Sequence, residues 1–429
     1  MNDQFEIKQK ANNLRKAGNY SEAITIYKEL WNNSTVKDKW VGWGFAYCLT
    51  HIKEYETALN ICNEVFNIDP EFVYIKSVYA QCIYLGKIKS FDEKASLISF
   101  ELTISDLLQK CEGTEFRKFV DLSILEFVKL CADKFKWDDV LKWLKTIDPQ
   151  KLDTEEFRGT NSEGKHFVKP SPKETYYHKY SKALNETEQF QECLKTSDEG
   201  LSFFPKSVWF KYYKANALRK LQNYQEAIKL FEKVKLTKKD WFVLNGLAAA
   251  YYCSGSIDLA YQTFLEAVNG SVNVPNPEFR TDLYFLGALI LDKKNMPEQA
   301  ALHSELACKL RSEIDWKIPG YIFNDRMTRN VTGERTAKEI FNILRKFWRD
   351  EEEKIFPVYE GRISKLLESG AAGFISLENK ESIFFKFSSV IGNKGAIKPG
   401  VKVSFNIKNS FDTKKNKESE AAFNVKIVG

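Results

Sequence analysis

Histidine is scarce in this chain, and no other residue set takes its place as a catalytic element. Its four histidines (His51, His166, His178 and His303) show no metal-ligand spacing, which argues against a zinc centre. The eight cysteines (Cys48, Cys62, Cys82, Cys111, Cys131, Cys193, Cys253 and Cys308) are scattered singly, with no C-x-x-C pair. That pattern predicts packed thiols in a reducing cytosol rather than disulfides or metal ligands. There is no Walker A glycine loop, no G-x-S-x-G elbow, no HExxH and no paired-carboxylate signature. Asp138–Asp139 and Glu351–Glu352–Glu353 fall on helical segments and read as solvent-facing charge, and His178, after Tyr176–Tyr177, reads as a packing histidine. A non-enzymatic protein without catalytic residue, metal or cofactor is therefore expected. No apolar run approaches the roughly 20 residues of a membrane span. Met1–Glu6 has neither the basic nor the apolar segment of a secretory signal. A cytoplasmic protein with no membrane partner is expected.

What the chain does contain is a globular balance of residues. It is 43% hydrophobic and 28% charged over 429 residues, which excludes a disordered chain and allows two or more domains. The net charge of +6 is unevenly placed. Residues 357–429 hold 12 Lys and Arg against 7 Asp and Glu, a net +5, leaving +1 for the rest. Excess positive charge in one short region suits phosphate contacts, and equally suits a solvated lysine-rich surface.

Residues 1 to about 315 read as paired helices with an internal repeat. Ala11, Leu14, Tyr20, Ala23, Tyr27 and Leu30 recur 35 residues later as Ala46, Leu49, Tyr55, Ala58, Cys62 and Val65. Phe190, Cys193 and Ser197 match Tyr224, Ala227 and Phe231 at a spacing of 34, and those match Ile257, Ala260 and Phe264 at 33. Small residues at fixed positions let paired helices approach, while aromatic and aliphatic side chains fill between them. Gly18 and Gly255 sit at equivalent inter-helix turns, and Pro70 and Pro205 follow helix ends. This period resembles the tetratricopeptide repeat. The match is clear for 5–70 and 176–268 and partial for 281–310, where Ala300 and Ala307 keep the small positions. The resemblance implies a right-handed helical superhelix whose first helices line a concave groove for a partner protein or peptide. On that basis the groove candidates are Asn12, Arg15, Tyr47, Lys214, Arg219, Asn245 and Tyr252.

Between the two clear blocks the signal fades. Residues 71–157 keep helical periodicity, and Trp137, Val140, Leu144 and Pro149 suggest one degenerate unit. The domains expected are repeats at 1–157, a polar connector loop at 158–173, a second block at 174–315, and an irregular segment with a capping helix at 316–356. The capping helix is read over Thr336–Lys354, with Ala337, Ile340, Phe341, Ile343, Leu344, Phe347 and Trp348 on one broad apolar face.

The last region, 357–429, changes to strand chemistry. Gly361–Arg362–Ile363, Gly373–Phe374–Ile375 and Ile383–Phe384–Phe385–Lys386–Phe387 are rich in β-branched and aromatic residues. Turn residues Gly370, Asn379 and Lys380 lie between them. In an antiparallel pair Phe374 and Phe384 can share a face, either as a solvent-facing stacking surface or as barrel core. Residues about 359–428 resemble a cold-shock domain, a five-stranded OB-type barrel that binds single-stranded nucleic acid. Gly361–Arg362–Ile363 resembles its first strand. Gly373–Phe374–Ile375 and Ile383–Phe387 resemble parts of its two ribonucleoprotein-type motifs, and Pro399–Phe405 and Ala421–Val425 its last strands. The sequence departs from that family where Lys365 and Leu366, Gly370–Ala371–Ala372 and Lys386 replace its aromatic, Lys-Gly-Phe and histidine positions.

The fold expected is multidomain: an all-α tetratricopeptide-like superhelix followed by a small all-β five-stranded OB barrel. The function expected is an adaptor that holds a partner protein on its repeats and touches single-stranded nucleic acid, RNA expected ahead of DNA, with its barrel. The barrel candidates are Phe374, Phe384, Phe387, Lys386, Lys365, Arg362, Lys414, Lys415 and Lys417. In regular strands residues 384 and 387 point to opposite faces, so Phe387 joins the surface only if the strand ends or bulges nearby. The alternative is a protein-assembly factor whose barrel has lost nucleic-acid binding, which the missing aromatics at Lys365, Leu366 and Ala372 favour.

Overall fold

The computed structural model describes residues 2–89, 96–113, 117–161, 163–329, 333–367, 371–378, 381–412 and 417–428. The chain forms two compact units, Met1–Pro205 and Lys206–Gly429.

The first unit is built of helix pairs: α1 (Asn2–Lys16) with α2 (Tyr20–Asn33), α3 (Lys39–His51) with α4 (Tyr55–Ile68), and α5 (Val73–Ile83) followed by α6 (Leu97–Lys110). Then come α7 (Lys118–Asp133) with α8 (Trp137–Leu144), and α9 (Pro172–Glu186) with α10 (Phe190–Phe203). Tyr20, Tyr55 and Phe190, aligned by the repeat, each open the second helix of a pair. The small positions Ala11, Ala23, Ala46, Ala58 and Cys193 are fully buried, as close helix approach requires. Four of the turns are made the same way. Asn19, Glu54, Lys136 and Gln189 donate backbone N–H bonds to the carbonyls of Leu14, Leu49, Cys131 and Leu184 at 2.8–3.0 Å. The residue before each donor has positive φ, as the Schellman motif demands: Gly18 (+83°), Lys53 (+67°), Phe135 (+57°) and Glu188 (+59°). The degenerate unit around Trp137 is thus a true member of the series, its turn made by a phenylalanine.

Two expectations are corrected in this unit. The segment 158–173, expected as a polar loop, instead forms an antiparallel hairpin of β1 (Phe157–Thr160) and β2 (His166–Lys169), so the region before 315 is not all helical. Asn161 closes its tip, accepting the N–H groups of Glu163 and Lys165 on Oδ1. Nor does the hairpin divide the chain. α9 packs against α7 and α8, Lys173 N–H bonds Asp153 O at 3.1 Å, and the Lys182 ammonium lies 5.0 Å from the Trp137 ring centroid. The division falls after α10, at Pro205.

The second unit continues with α11 (Val208–Lys220) and α12 (Tyr224–Thr237), α13 (Trp241–Cys253) and α14 (Ile257–Ser271), and α15 (Thr281–Lys293) and α16 (Pro297–Ser312). Its turns repeat the motif at Gln222, Gly255 and Asn295. Residues 316–333, expected to be irregular, include a short helix, α17 (Gly320–Thr328), with Pro319 as its N-cap. The capping helix, α18 (Ala337–Ile355), starts on a capping box between Thr336 and Glu339 and packs on α14 and α16. Trp348 is fully buried there. Its Nε1–H donates to His303 Nε2 at 2.7 Å, its ring stacks on Tyr284, and its carbonyl accepts from Asn269. Burial lowers His303 from 6.5 to about 4, so it stays a neutral acceptor.

A closed five-stranded barrel follows: β3 (Val358–Leu366), β4 (Ala372–Ser376), β5 (Ser382–Lys386), β6 (Lys402–Asp412) and β7 (Lys417–Ile427), in the order β3-β4-β5-β7-β6. Alternation sends Ile363, Ile375, Ile383, Phe385, Val403, Phe405 and Val425 inward. Gly373 is required by close approach, because a Cβ there would lie 2.6 Å from the Lys365 carbonyl and 2.7 Å from the Phe385 ring. The barrel holds the end of α18: Asn406 Nδ2 donates to the carbonyls of Phe356 (2.8 Å) and Pro357 (3.2 Å), and Lys426 pairs with Glu353 at 2.6 Å.

Candidate nucleic-acid interface and partner grooves

The outer face of the barrel brings together four of the nine residues singled out in its sequence. Strand register sets Lys365 opposite Phe374, and Phe374 opposite Phe384. Directly opposed residues point to the same side. Since Ile375, Ile383 and Phe385 point inward, Phe374 and Phe384 lie on the outside, half-buried, with ring centroids 5.7 Å apart and planes at 68°. A bulge in β3 between Ile363 and Lys365 swings the exposed lysine beside them, and the Ser364 hydroxyl donates to the Phe374 carbonyl at 3.1 Å. Lys386 is exposed at the end of β5, one outer position beyond Phe384. Arg362 is exposed too, but its Nη1 donates to Gly400 O at 3.0 Å and so fixes the turn before β6.

Phe387 does not join this face. β5 ends at Lys386, and Phe387 begins a short 3-10 turn in which its ring packs against the core, 5.7 Å from Phe385. Lys414 and Lys415 lie outside the described residues, and Lys417 opens β7.

The expected groove residues fall into two sets, one in each unit. In the first, Asn12 Oδ1 accepts the Tyr27 hydroxyl at 2.9 Å. The Arg15 guanidinium lies over the rings of Trp43 (4.5 Å) and Tyr47 (5.4 Å). Tyr47 in turn contacts Tyr20 and His51. The sequence reading missed Trp40, Trp43 and Tyr74, which extend this aromatic cluster across α3 and α5. In the second unit, Arg219 donates to Asn216 Oδ1 at 2.7 and 3.3 Å, and burial pushes its pKa below the ordinary value. Lys214 is half-buried on the same helix, and Asn245 and Tyr252 are half-buried on α13.

Among the described residues no group of His, Cys, Asp and Glu could hold a metal ion, and no helix is long and apolar enough to cross a membrane. His178 is held neutral by burial, which lowers it to about 4. Seven cysteines are buried as expected; Cys253 is exposed, at the end of α13. Burial pushes thiols such as Cys48 up to about 12.

The architecture is that of a tetratricopeptide-like repeat protein ending in a small OB-like barrel. A family model described as a domain of unknown function (DUF7017) matches residues 208–349, from α11 into α18. No curated protein matches the chain. Among solved structures, it is similar to MamA 41-end from Desulfovibrio magneticus RS-1, with 17% identity, TM-score 0.34, and 46% of this chain and 97% of that one covered. It is also similar to a tetratricopeptide repeat protein from Parabacteroides merdae ATCC 43184, with 15% identity, TM-score 0.35, and 75% and 98% covered. Both are loose likenesses of fold.

Proposed function

We propose that the protein is a non-enzymatic scaffold that holds a partner protein on its helical repeats and binds single-stranded nucleic acid, RNA or DNA, on its barrel. The observation that carries the nucleic-acid part is the outer-face row Lys365, Phe374 and Phe384, with Lys386 beside it. Two opposed rings accept bases of any sequence, and the lysines neutralise the adjoining phosphates. The partner part rests on the ring-lined inner helices, above all Arg15 over Trp43 and Tyr47. A second reading, a pure assembly factor, is favoured by Lys365 and the buried Ala372 standing where the resemblance expects rings.

The test is anisotropy of the full chain with labelled single-stranded oligonucleotides at low and moderate salt. Binding with a log–log salt slope of roughly −2 to −3.5 is expected, for about three to five phosphates at about −0.7 each. Phe374→Ala with Phe384→Ala should remove about 2–6 kcal/mol of binding. Unchanged binding by a folded double variant would remove the barrel face as the site, and no binding by the unaltered chain at low salt would transfer the weight to the assembly-factor reading.

A further inference from the structure

The hairpin of the first unit carries the same chemistry as the barrel face, in a segment that the helical repeat does not need. Its register is Phe157 to Lys169, Arg158 to Val168, Gly159 to Phe167 and Thr160 to His166. One face therefore holds Phe157, Gly159, Phe167 and Lys169, and alternation continues it to Lys165 at the tip. Phe157 is 60% exposed and Phe167 half-exposed, with ring centroids 6.1 Å apart. Both rings lie over Gly159, where an added Cβ would come 2.8 Å from the Phe167 ring and 3.0 Å from the Phe157 ring. The glycine lets the rings settle against the strands as a layer whose outer side is open.

Between Phe157 and Lys169 the charge of this face is of one sign. Lys165 and Lys169 are exposed, and the Lys169 ammonium lies 5.6 Å from the Phe167 ring centroid. No carboxylate occupies a register position on it. Glu156 pairs with Arg158, which belongs to the opposite face, and Glu163 sits in the turn. On that opposite face Thr160 and His166 bond each other at 2.9 Å. Buried rings would explain themselves as core, but these are backed by only two strands and face solvent.

We propose that the hairpin Phe157–Lys169 is a second contact site for single-stranded nucleic acid. Phe157 and Phe167 stack on bases, and Lys165 and Lys169 hold the flanking phosphates. Sequence-independent stacking suits a face with no fixed hydrogen-bonding groups other than the lysines. The site goes beyond the barrel reading and does not depend on it.

The test uses the full chain and a labelled oligouridine of about 20 nucleotides at low salt, long enough for more than one contact. Phe157→Ala with Phe167→Ala should weaken binding at least about tenfold, with the helical circular dichroism unchanged. Lys165→Ser with Lys169→Ser should flatten the log–log salt slope by about 1.4. A Phe157→Tyr, Phe167→Tyr chain, which keeps both π-faces, should bind like the parent. Ultraviolet crosslinking of 4-thiouridine oligonucleotide should label the peptide that contains Phe157 and Phe167. Affinity within twofold of the parent for the double alanine chain overturns the proposal. If that happens while Phe374→Ala with Phe384→Ala weakens binding, the hairpin reading fails and the barrel reading stands. The reverse result supports the hairpin and removes the barrel. No binding by the unaltered chain at low salt overturns both.

Discussion

The hairpin and the barrel present nearly the same surface on very different supports. Each sets two phenylalanine rings side by side, with centroids 6.1 Å apart in one and 5.7 Å in the other, and two exposed lysines alongside. The barrel rings rest on a sheet whose other side is a closed apolar core. The hairpin rings rest on a two-stranded ribbon over a glycine. A two-stranded ribbon has little stability of its own. Ring exposure in the barrel is thus a by-product of a sheet the fold already needs, whereas in the hairpin the rings serve no core. Contact chemistry and fold stability are coupled in one region and separable in the other.

The largest effect that sharpens this contrast is Phe385→Ala, which opens the barrel core under Phe384 and should cost about 3–5 kcal/mol in thermal or denaturant unfolding of that region. Phe167→Ala should cost less than about 1 kcal/mol in the same assay. Equal losses would break the comparison. Acid comes next. Neither ring face holds a histidine, so binding at both should be nearly flat around neutral pH. The docking of α18 should not be flat. The unfolded chain protonates His303 near 6.5, and the folded one only near 4. Stability is therefore full above 6.5 and falls by up to about 3 kcal/mol as pH drops towards 4. Fluorescence of Trp348 against pH would follow it, and a His303→Gln chain should lose most of that slope.

Glycine substitutions give a smaller, unequal pair of outcomes. Gly373→Ala pushes a Cβ into the Lys365 backbone carbonyl, which cannot swing away, and should destabilise the barrel by about 1–3 kcal/mol. Gly159→Ala meets only ring ends, so the rings should turn outwards with almost no change in melting. The smallest effect is electrostatic. Lys365→Ser with Lys386→Ser should leave stability unchanged and flatten the salt slope of binding by about 1.4.

Much of the fold was legible because it repeats. Tyr20, Tyr55, Phe190, Tyr224 and Ile257 each open a helix at the interval the sequence shows. The barrel face was legible in part: alternation within short strands set Phe374 against Phe384, and Lys365 reached them only through a bulge that no local pattern announces. Phe387 was misplaced because, although β5 ends at Lys386, the turn that follows keeps its ring on the core side that alternation from Phe385 gives it. The hairpin was missed because its strands are four residues each, one interrupted by Gly159 and the other followed at once by Pro170, so their polar setting read as a loop. Trp40 and Trp43 became visible beside Arg15 only when neighbouring helices brought them together. The helix at 320–328 was hidden by Pro319–Gly320, which looks like a breaker but here begins the helix.

The linkage through α18 has a mechanical consequence. The barrel grips the last turn of this helix through Asn406 and Lys426, while the middle of the helix is plugged into the repeats by Trp348. A pull applied to the barrel, such as tension on a bound strand, therefore runs along the helix axis and loads the Tyr261–Glu351 hydrogen bond and then the indole seated between Tyr284 and His303. Together these two contacts act as the shear pin of the helix. The helix should slip from the repeats as one piece, barrel still attached, at a force set by the Tyr261–Glu351 bond and the Trp348 socket rather than by either folded region.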